Sequence, residues 1–252
     1  MKRLRSVNWQ VALNRLATVS VIVACASVVW LVAAVHPSLR PARPDTSPGK
    51  TFSRRPSPPI ELPKEPVSLA NAAVLGRATS AVGIVAYSDF QCPFCAKFAT
   101  DTMPELQRKY IDTGKVLFAF RHLPLEAIHP TAKRAAEATE CARRQSLFWP
   151  AHDLLFANPS VAKDVSAAAF ADVAGLDLRT FGACLKGQAE STISADVQLA
   201  KRLRITGTPS FLIGTINSSG ELVVTHRESG AIPLAAFEAV IDPLLSKEQA
   251  IK

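Results

Sequence analysis

The sequence predicts an α/β domain standing on a membrane anchor, and three observations carry that prediction. An apolar, β-branched run, Ala81 to Ser88, leads directly into a Cys-x-x-Cys pair that opens a helix, and a second strand-like run follows that helix. An Ala-rich block with helical patterning then separates this β-α-β half from a β-β-α half. Ahead of both stand an uncharged stretch of 20 residues and a proline-rich spacer.

The uncharged stretch is Leu16 to Val35. At 1.5 Å per residue it is ~30 Å long as a helix, the thickness of a bilayer core. Trp30 stands towards its far end, where an interfacial anchor belongs. Lys2, Arg3, Arg5 and Arg15 precede it and favour a cytoplasmic N-terminus. Arg40 and Arg43 come after it and weigh the other way, but the leading charges of a first segment usually dominate. Residues 1–36 are therefore read as a basic tip and a single-pass transmembrane helix in the inner membrane, with the remainder on the periplasmic side. Ala24-Cys25-Ala26 also fits a signal-peptidase site, and Ile22-Val23-Ala24-Cys25 fits a bacterial lipobox. Ser27 to Val35 stays apolar beyond both, which favours the uncleaved anchor. All three readings export the rest of the chain.

The formal charge is +8, yet nine basic residues lie before residue 56. What remains is near neutral and shows no basic stripe interleaved with aromatics, so a nucleic-acid partner is not expected. Residues 37–66 hold nine of the 18 prolines, from Pro37 to Pro66. Such a stretch resists helix and sheet and favours extended polyproline II, so it reads as a semi-rigid spacer rather than a ligand for a proline-binding module.

The folded domain is placed at 67–252. Ala81 to Ser88 is its first clear strand, Lys97 to Tyr110 a helix, and Lys115 to Arg121 the next strand. The helical block spans about 127–204. Its segments are Thr131 to Arg144, Leu147 to Ala157, a helix capped by Ser166 and ending near Gly175, one capped by Asp177 and running through Leu185, and one from about Thr192 to Leu203. Strand character returns at Ser210 to Ile213 and Leu222 to Thr225, around the turn Asn217-Ser218-Ser219-Gly220, and Leu234 to Leu245 closes the domain as an amphipathic helix.

The chemistry-bearing motif is Phe90-Gln91-Cys92-Pro93-Phe94-Cys95. A cysteine at a helix start meets free backbone N–H groups and the positive end of the helix dipole, both of which favour a thiolate. A thiolate with a lowered pKa is a better leaving group. The second cysteine lies about one turn on, within reach of a mixed disulfide formed on the first. Pro93 loses nothing in the first turn, where the N–H has no helical partner. A second motif, Gly207-Thr208-Pro209-Ser210-Phe211, precedes an apolar strand.

Tyr87-Ser88-Asp89-Phe90-Gln91-Cys92-Pro93-Phe94-Cys95, Phe120-Arg121-His122-Leu123-Pro124-Leu125 and Thr206-Gly207-Thr208-Pro209-Ser210-Phe211 together resemble the DsbA-like branch of the thioredoxin superfamily, from roughly Val67 to Leu245. The resemblance implies a thioredoxin fold with a helical insertion, and a cis Thr208-Pro209 peptide facing the cysteines with the backbone of Thr208 free to pair with substrate. It implies that Cys92 is the exposed nucleophile and Cys95 the buried resolving thiol, that Pro93 and Phe94 set the redox poise, and that Thr208 and Pro209 guide substrate and keep metal out. One departure stands out. The strong oxidants of this family carry a histidine where this chain has Phe94, and phenylalanine can give a thiolate neither charge nor a hydrogen bond.

Cys141 and Cys184 read as a structural disulfide clamping the insertion, with a second electron-passing pair or two buried thiols as alternatives. A zinc site made of all four cysteines is disfavoured because only one pair is closely spaced. His122, His129, His152 and His226 are read as surface or packing residues, Asp89 as a helix-start cap or an aid to proton transfer, and Phe148 and Trp149 as core of the insertion. No organic cofactor or metal is implied; the redox-active group is the Cys92–Cys95 pair itself. The expected function is an enzyme that donates disulfides to exported proteins and is reoxidised by an unidentified membrane partner. A reductase or isomerase on the same fold is the first alternative, and a binding or chaperone-like module with a structural disulfide the second.

Overall fold

The computed structural model describes residues 62–251. The expected anchor, the cleavage and lipobox alternatives at Cys25 and most of the spacer lie outside the described residues. Among the described residues, no helix is long and apolar enough to cross a membrane.

Six strands form one sheet: β1 (Val67–Ser68), β2 (Ala73–Leu75), β3 (Val82–Ser88), β4 (Val116–His122), β5 (Ser210–Ile216) and β6 (Glu221–Ser229), in the order β1-β6-β5-β3-β4-β2. β3 is central, parallel to β4 and antiparallel to β5. Every residue of β3 and β4 is buried, which is why both read as near-continuous apolar runs rather than alternating ones. The period of two still sorts their side chains. Val82, Ile84 and Ala86 of β3 face one core, and Val85 and Tyr87 face the other. Gly214 sits at the bulge between β5 and β6, where a Cβ would come within 1.9 Å of the Val223 carbonyl oxygen. The edge strands β1 and β2, two and three residues long, leave no periodic signal in the sequence.

The helix after β3 starts at Pro93, as the Cys-x-x-Cys pair opening a helix implies and four residues ahead of the Lys97 bound, and it is not uniform. It runs as α1 (Pro93–Lys97), a wide π turn (Phe98–Thr102), α2 (Met103–Leu106) and a second π turn (Gln107–Ile111). Pro104 accounts for the first widening: it has no N–H for the Thr100 carbonyl, and its ring crowds that oxygen. The insertion comprises α3 (Ala132–Arg143), α4 (Phe148–Ala157), α5 (Pro159–Lys163), a 3-10 turn (Ala168–Phe170), α6 (Leu178–Cys184) and α7 (Glu190–Arg202); α8 (Leu234–Ile251) comes after β6. The Ser166 cap bond forms, from Ala169 N–H at 3.2 Å, but only one turn succeeds it. A tight turn sets Phe170 and Val173, three residues apart, into the core together, and Phe170 packs on Phe181 with ring centroids 4.9 Å apart. Asp177 caps α6 through the N–H groups of Arg179 and Thr180. α8 runs past Leu245 through Pro243.

Two devices dock the insertion on the sheet. Phe148 and His152 on α4 meet Phe120 of β4 edge-on, and Phe90 stacks on Phe120 at 5.4 Å while touching Phe156 at 4.9 Å. Trp149 is half-buried and donates from Nε1 to the Val74 carbonyl at 3.0 Å, so it covers edge strand β2 as well as the insertion. On the other face, the buried Arg121 guanidinium pairs with Asp196 of α7 and donates to the Ser68 and Ala70 carbonyls, while the second Asp196 oxygen accepts from His122 N–H at 2.9 Å. Removing one member of such a buried pair costs about 3–5 kcal/mol. Cys141 of α3 and Cys184 of α6 are joined by a disulfide, with Cα atoms 5.7 Å apart. That bond leaves neither sulfur available to a four-cysteine zinc site.

Candidate active site

The site forms where the central strand hands over to its helix. After Ser88 the chain turns, with Cys92 N–H donating to the Asp89 carbonyl at 3.1 Å and Gln91 N–H to Asp89 Oδ1 at 2.7 Å. Cys92 is the extended N-cap of α1, Pro93 occupies the first turn, and the Cys92 carbonyl accepts from Ala96 N–H at 3.0 Å. This turn delivers the two cysteines at one helix start, both as free thiols. Cys95 is 1% exposed. Cys92, anticipated as an exposed residue, is only 5% exposed, while its neighbour Phe94 is 59% exposed. The cover over Cys92 comes from the loop before β5.

In that loop the Thr208–Pro209 peptide is cis. Cys92 Sγ donates to the Thr208 carbonyl at 3.4 Å, so of the Thr208 backbone groups anticipated as free the carbonyl is engaged by the cysteine in the dithiol. Gly230 N–H holds the Pro209 carbonyl at 2.8 Å, and Ser210 Oγ holds that of Gly207 at 2.7 Å. Thr208 Oγ is buried and has no hydrogen-bond partner in the dithiol. It is nonetheless close enough to Cys92 to favour the thiolate.

The two thiols are driven apart electrostatically. Cys92 is lowered to about 5, first by hydrogen bonding from Cys95 and then, against the cost of burial, by the Thr208 hydroxyl and the backbone N–H groups of Cys95 and Phe94. Cys95 is raised well above the usual thiol range, first by burial and then by the hydrogen bond and charge of Cys92, with Ser88 and the Asp89 amide pulling weakly the other way. Beneath Cys95 lies a small, largely enclosed cavity of about 10 Å³, lined in part by Ser88, His152, Phe156 and Pro209. That is roughly room for one water molecule.

Sequence reasoning placed the cysteine pair and the Thr-Pro motif, and the structure brings these together. It gave Ser88 no role and read His129 and His152 as surface or packing residues. His152 does pack among aromatic rings; what the sequence left out is that Ser88 and His152 border the cavity at Cys95 and that His129 meets Asp89. His152 belongs to the cavity wall, where burial holds it below the usual histidine range against the pull of the Asp153 carboxylate. His129 bonds to Asp89. Their helix and loop are far from Cys92 in sequence, so no spacing could have signalled either. His122 is a packing residue paired with Glu140 at 3.1 Å, and His226 is exposed. Among the described residues, no group of three or more His, Cys, Asp or Glu side chains is arranged to hold a metal.

A central β3 ending in an N-capping cysteine, a second cysteine one turn on, and a cis-proline loop across from them define a thioredoxin-fold dithiol protein. The profile of the thioredoxin family matches residues 69–225, and the chain belongs to that family, as a DsbA-like member. It is similar to alpha-DsbA1 of Wolbachia pipientis, with 28% identity and a TM-score of 0.62 over 72% of this chain and 94% of that one. It is also similar to DsbA2 of Pseudomonas aeruginosa, with 29% identity and a TM-score of 0.57 over 69% and 94%. Among curated sequences it is 34% identical over 149 residues to the Na(+)/H(+) antiporter NhaA 3 of Salinispora tropica, a stretch covering 59% of this chain and 22% of the antiporter. The chain thus spans about a fifth of the length of the curated relatives it matches.

Proposed function

We propose that the protein is a thiol–disulfide oxidoreductase that donates disulfides to exported proteins through Cys92 and Cys95. The observation that carries this reading is the asymmetry of the pair: Cys92 caps the start of α1 and faces the cis-proline loop, which favours its thiolate, while Cys95 is buried one turn on, which disfavours its own. A stabilised Cys92 thiolate stabilises the reduced protein, and a protein stabilised when reduced is an oxidant.

In the forward direction a substrate thiolate attacks Cys92 Sγ of the Cys92–Cys95 disulfide. The Cys92–Cys95 bond breaks, and the electron pair and a proton go to Cys95, which is the more basic thiol. A second substrate thiolate then attacks the substrate sulfur of the mixed disulfide. Cys92 leaves as a thiolate, the substrate is oxidised by two electrons, and the dithiol remains. While Cys92 is in mixed disulfide it has no S–H, so the Thr208 carbonyl is released for the backbone of a bound substrate; Thr208 and Pro209 are the substrate-binding pair in this reading. Pro93 and Phe94 are the redox-tuning pair in this reading: Pro93 keeps the first turn open to the thiolate, and Phe94, whose exposed side chain has no donor, contributes its backbone N–H beside the Cys95 thiol and Thr208. Cys141–Cys184 acts as a structural clamp.

Leu16 to Val35 is the proposed inner-membrane anchor, the proline-rich stretch the proposed spacer, and the domain is proposed to work on the periplasmic side. Each turnover leaves two electrons on the dithiol, so a membrane partner able to accept them is part of the proposal. No further cofactor is invoked.

The deciding measurement is the equilibrium of Cys92–Cys95 with glutathione buffers, read by thiol trapping on the full chain in detergent, with Cys141 and Cys184 tracked separately by mass. A potential well above about −270 mV, towards about −120 mV, marks a disulfide donor. A potential at or below about −270 mV overturns donation and leaves a reductant on the same fold.

A further inference from the structure

The residues at three and one positions before Cys92 both reach into the helical insertion. Asp89 is buried, and its carboxylate collects three donors: Gln91 N–H on Oδ1 at 2.7 Å, and Leu125 N–H and His129 Nδ1 on Oδ2, each at 2.8 Å. An ionised carboxylate only accepts, so Nδ1 of His129 carries the hydrogen. Gln91 makes the parallel link: its Oε1 accepts from Thr131 N–H at 3.0 Å, and its Nε2 donates to the Ala162 carbonyl at 3.3 Å. Leu125, His129 and Thr131 all lie on the entry into the insertion, between β4 and α3.

Asp89 also touches both ends of the dithiol through its backbone. Its carbonyl accepts from Cys92 N–H, and its amide supports Cys95. A displacement of this residue therefore shifts the first turn of α1, whose N–H groups favour the Cys92 thiolate. His129 is the one side chain among the three donors; the other two are backbone groups that travel with their own segments.

We propose that His129 is a positioning residue for Cys92, acting through Asp89 to lock the turn before α1 against the entry of the helical insertion. The insertion thereby sets the environment of the redox thiol, in addition to covering the sheet. This rests on the reading of Cys92 as the reactive thiol, and different results overturn the two.

The experiment measures alkylation of Cys92 by iodoacetamide against pH in the full chain, with peptide mass spectrometry to resolve the cysteines. His129→Ala removes the donor to Asp89, which both loosens the turn and leaves the buried carboxylate less compensated beside a thiolate. Both effects disfavour the thiolate. The expected result is a higher alkylation midpoint, with the ionisation constant of Cys92 reduced roughly three- to tenfold, the range of one lost hydrogen bond. His129→Asn, whose amide nitrogen takes the place of Nδ1, restores most of it. Acting through Asp89 means coupling: in an Asp89→Asn background, His129→Ala adds little. If His129→Ala does not fold, His129→Gln, which moves the donor out by one atom, replaces it in the same cycle. An unchanged midpoint in the folded variant, or an equal shift with and without Asp89, overturns the proposal even where the melting temperature falls. A wild-type chain that alkylates at low pH but exchanges no disulfide with reduced substrate thiols sinks the catalytic reading and leaves this one standing.

Discussion

The domain contains two cysteine pairs that are equally buried and chemically opposite. Cys92 and Cys95 are 5% and 1% exposed, Cys141 and Cys184 1% and 4%, so burial does not distinguish a free dithiol from a closed disulfide. Their surroundings do. The first pair sits at a strand-to-helix handover where the Cys95 thiol, the nearby Thr208 hydroxyl and N–H groups without helical partners favour a thiolate on Cys92 while burial raises Cys95, so the two thiols titrate far apart. The second pair joins the bodies of α3 and α6 across a sequence separation of 43 residues and has become a bond. The environment at a helix start separates the two thiols of the first pair; the second pair closes a loop between helices.

The sharpest way to break this contrast is to remove one sulfur at a time. Cys92→Ser should reduce exchange with a substrate thiol to the uncatalysed background, because no other free thiol in the domain is lowered. Exchange that persists in this variant, followed with a reduced, unfolded substrate, would end the catalytic assignment. Replacing Cys141 and Cys184 together by Ala should do the reverse. Loop-closure entropy for this separation is worth roughly 4 kcal/mol, so denaturant unfolding should report a loss of that order while the Cys92–Cys95 potential stays put. If the potential moves and stability does not, the second pair passes electrons.

The contrast also has a pH signature. In the reduced protein the Cys92 pKa is about 5, against an ordinary thiol value of 9.0. Between these values the unfolded chain binds the proton that the folded one has released, so stability rises with pH. The stabilisation is complete above about 9 and is lost as pH falls through about 5. The oxidised protein lacks this titration. The melting-temperature difference between reduced and oxidised forms should therefore widen from about pH 5 upwards and shrink below it. The same scan on the protein lacking Cys141 and Cys184 should keep that profile at lower temperature, since the disulfide holds no titrating group.

How far all this is legible in the sequence differs between the two pairs in the same way. The Cys92 site is local: a β-branched run, a proline in the first turn and a cysteine on either side of Pro93-Phe94 announce strand, helix start and thiolate within a short stretch of chain. Thr208-Pro209 was legible only through its combination with that motif, since nothing in a Thr-Pro dipeptide says what it faces. The cover over Cys92 was not legible, because it arises where the β5 loop crosses the site. Asp89 and His129 meet across a loop entry, and His152 joins the cavity from α4, with no periodicity behind either contact. The insertion is intermediate: its long amphipathic helices were readable, whereas the single turn after Ser166 depends on Phe170 finding Phe181. β1 and β2 are too short to carry a pattern at all.

The smallest effect sharpens the electrostatic half of the comparison. Thr208 Oγ is buried without a hydrogen-bond partner in the dithiol, an arrangement with a cost unless another state repays it. The Cys92 thiolate is that state, since it offers an acceptor where the thiol offers a donor already directed at the Thr208 carbonyl. Thr208→Val keeps the shape and removes the hydroxyl. A hydrogen bond to a charged group contributes about 1.5–3 kcal/mol, so the Cys92 midpoint should rise by roughly one unit, read by thiolate absorbance. Near neutral pH a tenfold weaker thiolate lowers the potential of the pair by about 30 mV, making the variant a poorer oxidant. Stability of the oxidised form, which has no thiolate to lose, should hold or improve as the orphaned hydroxyl disappears. A Thr208→Val protein whose midpoint stays near 5 would show that the Cys95 thiol and the backbone N–H groups of α1 set the Cys92 thiolate without help from the cis-proline loop.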